Sequence, residues 1–270
     1  RIVGAFDALG PVAGALIGFL AGLFGIGGGA ISVPVFYEVF LLLGHPPGLA
    51  MPMAVGTSLA VIIPTSIQSA RAHHARGTVD MDLLRLWALP VLGGVILGTL
   101  IARHARPELF QLVFAAVAAV NATKLLSGGA GWRIGDGLPG RGLLRAYGAL
   151  TGLVSALMGI GGGAVSNLIL TLHNVPIHRA VSTSAGVGVL IAIPGTIGYM
   201  LAGRGLPGLP PDAIGFVSLA TFALTIPTSL MTTRFGVALA HRLTRRHLER
   251  AFGLFLLAVC LRFVWAMLAP

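Results

Sequence analysis

The chain has 270 residues, 56% of them hydrophobic and 10% charged, with a formal net charge of +10. A soluble domain carries roughly 25% charged residues, so this composition excludes an ordinary globular fold and specifies a polytopic membrane protein. The basic total rests on one lysine, Lys124, and on arginines that flank apolar segments, which excludes the basic surface expected of a nucleic-acid binder.

Measured against the roughly 20 residues that a helix needs to cross the hydrocarbon, ten apolar runs follow one another. They cover 12–24 (extendable back to Ile2), 30–43, 49–70 with Pro52 and Pro64 inside, 83–102 and 109–126; then 143–158, 164–172, 181–202 with Pro194 inside, 213–233 and 248–268. A glycine-rich, charged stretch, 128–142, lies between the two sets. The second and seventh runs are too short to span. No signal peptide is assigned, because the first run continues into a glycine stretch. Cys260 is alone, so no intramolecular disulfide forms, and no Cys/His spacing resembles a zinc site.

The second and seventh runs each begin at a copy of one motif. Gly25 to Ser32 reads GIGGGAIS and Gly159 to Ser166 reads GIGGGAVS. Three consecutive glycines each cost roughly 1 kcal/mol of helix stability relative to alanine, so one helix ends there and another begins just beyond. The repetition continues: Ala54-Val55-Gly56-Thr57-Ser58 answers Ala180-Val181-Ser182-Thr183-Ser184, and Pro64 answers Pro194. Five runs per half is an odd number, so the second copy is expected upside down relative to the first. The same parity holds if the first two runs form a re-entrant hairpin. The expected organisation is a first five-segment repeat at 1–127, a cytoplasmic linker at 128–142 and a second, inverted repeat at 143–270.

Charge tests this plan independently. Placing the loops after runs three, five, seven and nine on one side gives that side 13 of the 18 lysines and arginines. By the positive-inside rule that side is cytoplasmic, and both termini face outward.

The glycine stretches also carry chemistry. A helix N-terminus leaves about four amides without partners and bears roughly half a positive charge, which makes it an anion site. Gly27, Gly28 and Gly29, with Gly161, Gly162 and Gly163, permit close approach. Ser32, Ser166 and Asn167 lie in the first turn beyond, and the Thr57-Ser58 and Thr183-Ser184 pairs offer hydroxyl donors. Such a site binds a small oxyanion near the midplane without a buried cation. Simpler roles exist for each: glycine also serves close helix packing, and serine and threonine bond their own backbone carbonyls. The paired occurrence favours a ligand site. GIGGGA also fits a GxGxxA dinucleotide fingerprint, but no βαβ unit surrounds it.

Other polar residues have more local readings. Glu38 falls near an interface, and His173 with Asn174 ends the seventh run, as cap or as pathway lining. Gln68 lies one turn beyond Pro64, where it can face a pathway. Arg71, His73, His74 and Arg76 form a topology anchor, as do Arg242, Arg245, Arg246 and Arg250. An intramembrane serine protease is disfavoured, because there is no GxSxG and the histidines cluster at segment ends.

The paired GIGGG stretches, the alanine/valine-Thr-Ser elements and the His-rich loop followed by Gly77 together resemble the sulfite exporter TauE/SafE family, over nearly the whole chain. The resemblance implies movement of small sulfur-containing anions, such as sulfite or organosulfonates, across the bacterial inner membrane. Asn167 and Leu168 stand where the first half has Val33 and Pro34, so the half-sites are unequal. The expectation is therefore an all-α secondary transporter of about ten membrane segments, a non-enzyme without cofactor or metal. Its partners are the small anion and the bilayer, and homo-oligomer assembly is compatible with it. Pro64 and Pro194 are read as breaks that let runs three and eight bend. A passive anion channel is the alternative, since dipole-lined sites serve both.

Overall fold

A computed structural model of the protein describes residues 2–24, 29–128, 132–240 and 242–268. Within them lie ten helices: α1 Ile2–Phe24, α2 Gly29–Leu42, α3 Pro47–Ala75, α4 Met81–His104 and α5 Pro107–Leu126, then α6 Arg141–Met158, α7 Gly163–Leu172, α8 Ile177–Ala202, α9 Leu219–Ala240 and α10 Arg245–Leu268. Five of the described helices, α3, α4, α5, α8 and α10, are long and apolar enough to cross a membrane. The protein is thus an all-α membrane protein, and every apolar run of the sequence became a helix. Pro47 and Pro107 open α3 and α5 at positions where a missing N–H costs nothing. Asp80 caps α4 by accepting from the Leu83 amide at 3.0 Å.

Two expectations are corrected. The ninth run does not start as a helix at Ala213: Ala213–Ile214 and Val217–Ser218 form strands β1 and β2 of a small antiparallel hairpin, and α9 begins only at Leu219. Gly215 makes the turn with φ +59°, a conformation that glycine adopts freely. Asp212 then accepts from the Ala220 amide at 3.2 Å and from the Ser218 hydroxyl at 2.9 Å, anchoring the hairpin to the helix start. Pro64 and Pro194 also fail to break their helices, since α3 and α8 run continuously through them. Each proline forfeits one backbone bond. The carbonyls that lose an amide are those of Ala60 and Leu190, four residues before each proline.

The principal packing partners are α1 with α9, α4 with α6, α3 with α8, α5 with α10, α4 with α8, α2 with α3, and α7 with α8. Exchanging every helix with the one five places along carries each pair onto another packed pair, although α4 with α8 maps onto the much smaller contact of α3 with α9. α3 is the most enclosed span, with 78% of its apolar window buried against 28–33% for α4, α5 and α10. Large side chains such as Leu89, Leu100, Leu112 and Trp265 stand exposed on the outer helices, as lipid-facing residues should. The loop after α3 meets the start of α8 through an Arg179–Asp80 ion pair at 3.1 Å. The linker meets the end of α7 through the Ile134 amide on the Leu172 carbonyl at 2.8 Å. These ends therefore share one face.

Close helix contact rests on glycine at a few positions. A Cβ at Gly94 of α4 would overlap the Ala149 carbonyl of α6, whereas the adjacent Gly93 has nothing within 4 Å. Gly94→Ala is expected to lower the thermal midpoint in detergent, at a cost of about 1–3 kcal/mol for the forced separation. Gly93→Ala is expected to hold or raise it, by up to about 1 kcal/mol of helix propensity. Equal midpoints for the two variants would contradict this account of the α4–α6 contact.

Candidate functional site

The second glycine stretch lies where α6 stops and α7 begins. Gly159 adopts φ +69° and Gly162 φ +75°, so the chain turns twice through the left-handed region. The turn is held by the Ile160 amide on the Ser155 carbonyl at 3.2 Å and the Gly162 amide on the Ile160 carbonyl at 2.7 Å. Two end carbonyls are satisfied from other helices: Tyr199 of α8 donates to Ala156 at 2.9 Å, and Ser58 of α3 donates to Gly159 at 2.8 Å. With its proton committed there, Ser58 must accept from Ser32, whose hydroxyl lies 2.6 Å away. The second half repeats the pairing: the Ser166 hydroxyl lies 2.8 Å from Ser184 and 2.6 Å from the Gly162 carbonyl.

The glycine stretches are neighbours. A Cβ at Gly29 would lie 3.0 Å from the Cα of Ile160 and 2.8 Å from Ile62 of α3, and one at Gly161 would lie 2.8 Å from Ile62. Gly27 and Gly28 fall outside the described residues. The two Thr-Ser pairs divide their labour. Thr57 and Thr183 are buried and accept backbone amides, from Ser218 at 3.1 Å and from Asp80 at 3.0 Å. Those two residues start α9 and α4, so the threonines position helix ends, and neither lines a cavity described below. Ser32 and Ser58 are likewise engaged with each other and line neither cavity described below.

Two cavities flank the start of α7. The inner one, of about 140 Å³, lies between α3, α8 and the glycine turn, lined among others by Thr65, Ser66, Ser69, Gly161, Gly163 and Ser184. The outer one, of about 750 Å³, lies between α5, α7, α10 and the linker, and its polar lining includes Asn121, Lys124, Asn167, Thr171 and Asn174. Ile160, Gly163 and Asn167 line both. The Asn167 side-chain oxygen is buried without a partner, and a buried acceptor left so costs about 1–3 kcal/mol.

Sequence reasoning missed part of this lining. Thr65, Ser66 and Ser69 follow Ile62 at three, four and seven places, one face of a helix, and that spacing was readable. Gln68, expected at a pathway, is exposed off that face. In sequence Lys124 stands at the end of an apolar run as one of the flanking charges, yet its ammonium donates to Thr171 of α7. His173 is a buried cap, with its Nδ1 2.9 Å from the Ile169 carbonyl, while Asn174 turns with φ +60° into the outer cavity wall. Glu38 pairs with Arg262 of α10 at 3.0 Å, both about half exposed.

Fold and broken helix together define a polytopic all-α membrane protein with an interrupted helix beside two cavities. The family model for the sulfite exporter TauE/SafE matches residues 11–263, and the chain belongs to that family. It is 34% identical over 253 residues to a probable membrane transporter protein of Haemophilus influenzae, covering 92% of this chain and 94% of that one. It is 28% identical to a probable membrane transporter protein of Methanocaldococcus jannaschii, with 88% of each chain covered, and 26% identical to one of Xylella fastidiosa, over 93% and 92%. No solved structure matches the chain.

Ser58→Ala removes the donor to Gly159 and the acceptor of Ser32 together. The expected outcome is a loss of about 1–3 kcal/mol in stability, because buried polar groups are left unpaired, read as a lowered denaturation midpoint. Ser69→Ala, at the cavity wall, is expected to leave the midpoint nearly unchanged. A Ser58→Ala midpoint equal to wild type would refute the structural role given to this hydroxyl.

Proposed function

We propose that this chain is a secondary transporter, working as an exporter, of small sulfur-containing anions such as sulfite or organosulfonates. The observation that carries the reading is the first turn of α7, which opens on two cavities at Gly163. That turn presents unpartnered amides and partial positive charge, and the neighbouring Ser184 and Ser66 offer hydroxyls. An oxyanion in the inner cavity is then held by neutral donors, which replace its hydration while leaving no countercharge to bind it irreversibly. A cavity of about 140 Å³ suits an anion of a few heavy atoms. The contacts we assign to the substrate are Gly161, Gly163, Ser184 and the Asn167 amide, while Gly162, whose amide is held by the Ile160 carbonyl, shapes the turn. Ser166 braces Ser184, and Ser32, Ser58, Thr57 and Thr183 hold the frame around them.

The mapping of packed pairs onto packed pairs under exchange of the halves supports two five-helix repeats, 1–127 and 143–270, with α3 against α8 at the centre. Inversion is supported by the charge imbalance, 13 of 18 basic residues on the face that carries the linker. On this reading that face is cytoplasmic in a bacterial inner membrane, both termini lie outside, and the halves rock about α3 and α8 to alternate access.

Gly163 offers a direct test, because a Cβ there meets nothing within 4 Å. Gly163→Val places a branched side chain in the passage from a position that accepts a Cβ. In proteoliposomes, wild type is expected to show saturable sulfite flux and Gly163→Val at least about a tenfold lower rate, equal to roughly 1.4 kcal/mol or more of barrier, with an unchanged elution profile. Undiminished flux through the variant would overturn the site; flux in wild type that rises linearly with sulfite would favour a channel.

A further inference from the structure

We infer that the outer cavity is itself an anion site, at which the Lys124 ammonium takes up an oxyanion before it passes Asn167 into the inner cavity. This rests on the reading of the chain as an anion transporter, though not on which anion crosses.

Lys124 is the sole lysine of the chain and lies within the last turn of α5. A lysine near a helix end ordinarily extends along its own helix toward the headgroups. Here the ammonium is turned across to α7 and donates to the Thr171 hydroxyl, which in turn donates to the Asn167 carbonyl at 2.7 Å. An ammonium has three donors, and one suffices for Thr171. Asn121 lies one turn before it on α5 and Asn174 follows α7, so neutral amides adjoin the cation along the same wall.

Charge on the remaining elements is consistent with an anion. Arg133 of the linker and Glu249 of α10 also line the cavity; two cations against one carboxylate leave it net positive. Phe114, Leu168 and Leu256 form the rest of the wall, and an apolar wall lowers the local dielectric and strengthens the attraction.

Size separates the two chambers. About 750 Å³ accommodates an oxyanion with much of its hydration shell, whereas about 140 Å³ does not. The outer chamber therefore recruits by charge, and the inner one discriminates after dehydration. Asn167 links them, since it lines both chambers and its backbone carbonyl accepts from Thr171.

The test is equilibrium binding of radiolabelled sulfite and sulfate to the purified full chain, with sulfate as a second oxyanion independent of transport selectivity. Lys124→Met and Lys124→Gln are expected to weaken binding of both anions about tenfold, and Lys124→Arg to stay within about threefold of wild type, since it keeps the charge. Weaker binding with rising chloride should be marked in wild type and blunted in the neutral variants. Gel filtration and thermal midpoints establish that at least one neutral variant is folded. Equal affinities for wild type and a folded neutral variant would refute the inference, as would wild type that binds neither anion. Failure of the transporter reading looks different: binding that depends on Lys124 in a protein that moves no sulfite.

Discussion

A helix interrupted inside a bilayer must find partners for its opened backbone, because no water is there to supply them. In this protein those partners come from elsewhere in the chain. The carbonyls that end α6 receive hydrogen bonds from Tyr199 of α8 and Ser58 of α3, so the break exists only once three helices are assembled around it. The amides that begin α7 have no intrahelical acceptor and open instead on the two cavities. One end of the break is sealed by protein and the other faces open space, where we propose the anion binds.

This division explains why the Thr-Ser elements occur in both halves although few of their hydroxyls reach a cavity. Thr57 and Thr183 accept the amides of Ser218 and Asp80, the residues at which α9 and α4 start. Ser58 and Ser184 tie α3 and α8 to the serines of the glycine-led helices. The repeated pattern is therefore chiefly a frame that fixes where helices begin and end. Function enters where the pattern departs from symmetry: Val33 is fully buried and packs toward Gly159, whereas Asn167 at the equivalent place borders both cavities.

Charge is arranged by depth. Neutral donors surround the inner cavity, and the cations that line the outer one, Lys124 and Arg133, lie at the end of α5 and in the linker. Holding an anion deep in the bilayer with a fixed cation would require burying that cation through the whole cycle, which is costly. In the proposed site, amides and hydroxyls avoid that cost, and the proposed role of the lysine falls at the outer cavity, beside the end of α5.

Composition and pattern alone determined the membrane class, the ten helices and the doubling of the glycine motif, because bilayer length and the 3.6-residue turn act on local sequence. The sixth run, for example, ended at Met158 in sequence as it does in space. Early turns escaped this reading: the hairpin at 213–218 is apolar enough to pass for helix, and only Gly215 and Asp212 betray it. Which hydroxyls face a cavity was decided by tertiary structure, since the partners of Ser58 and Thr57 lie 101 and 161 residues away. Lys124 belongs to the same category. Its charge is written in the sequence, but its direction depends on α7 packing beside α5, a long-range contact that no local periodicity encodes.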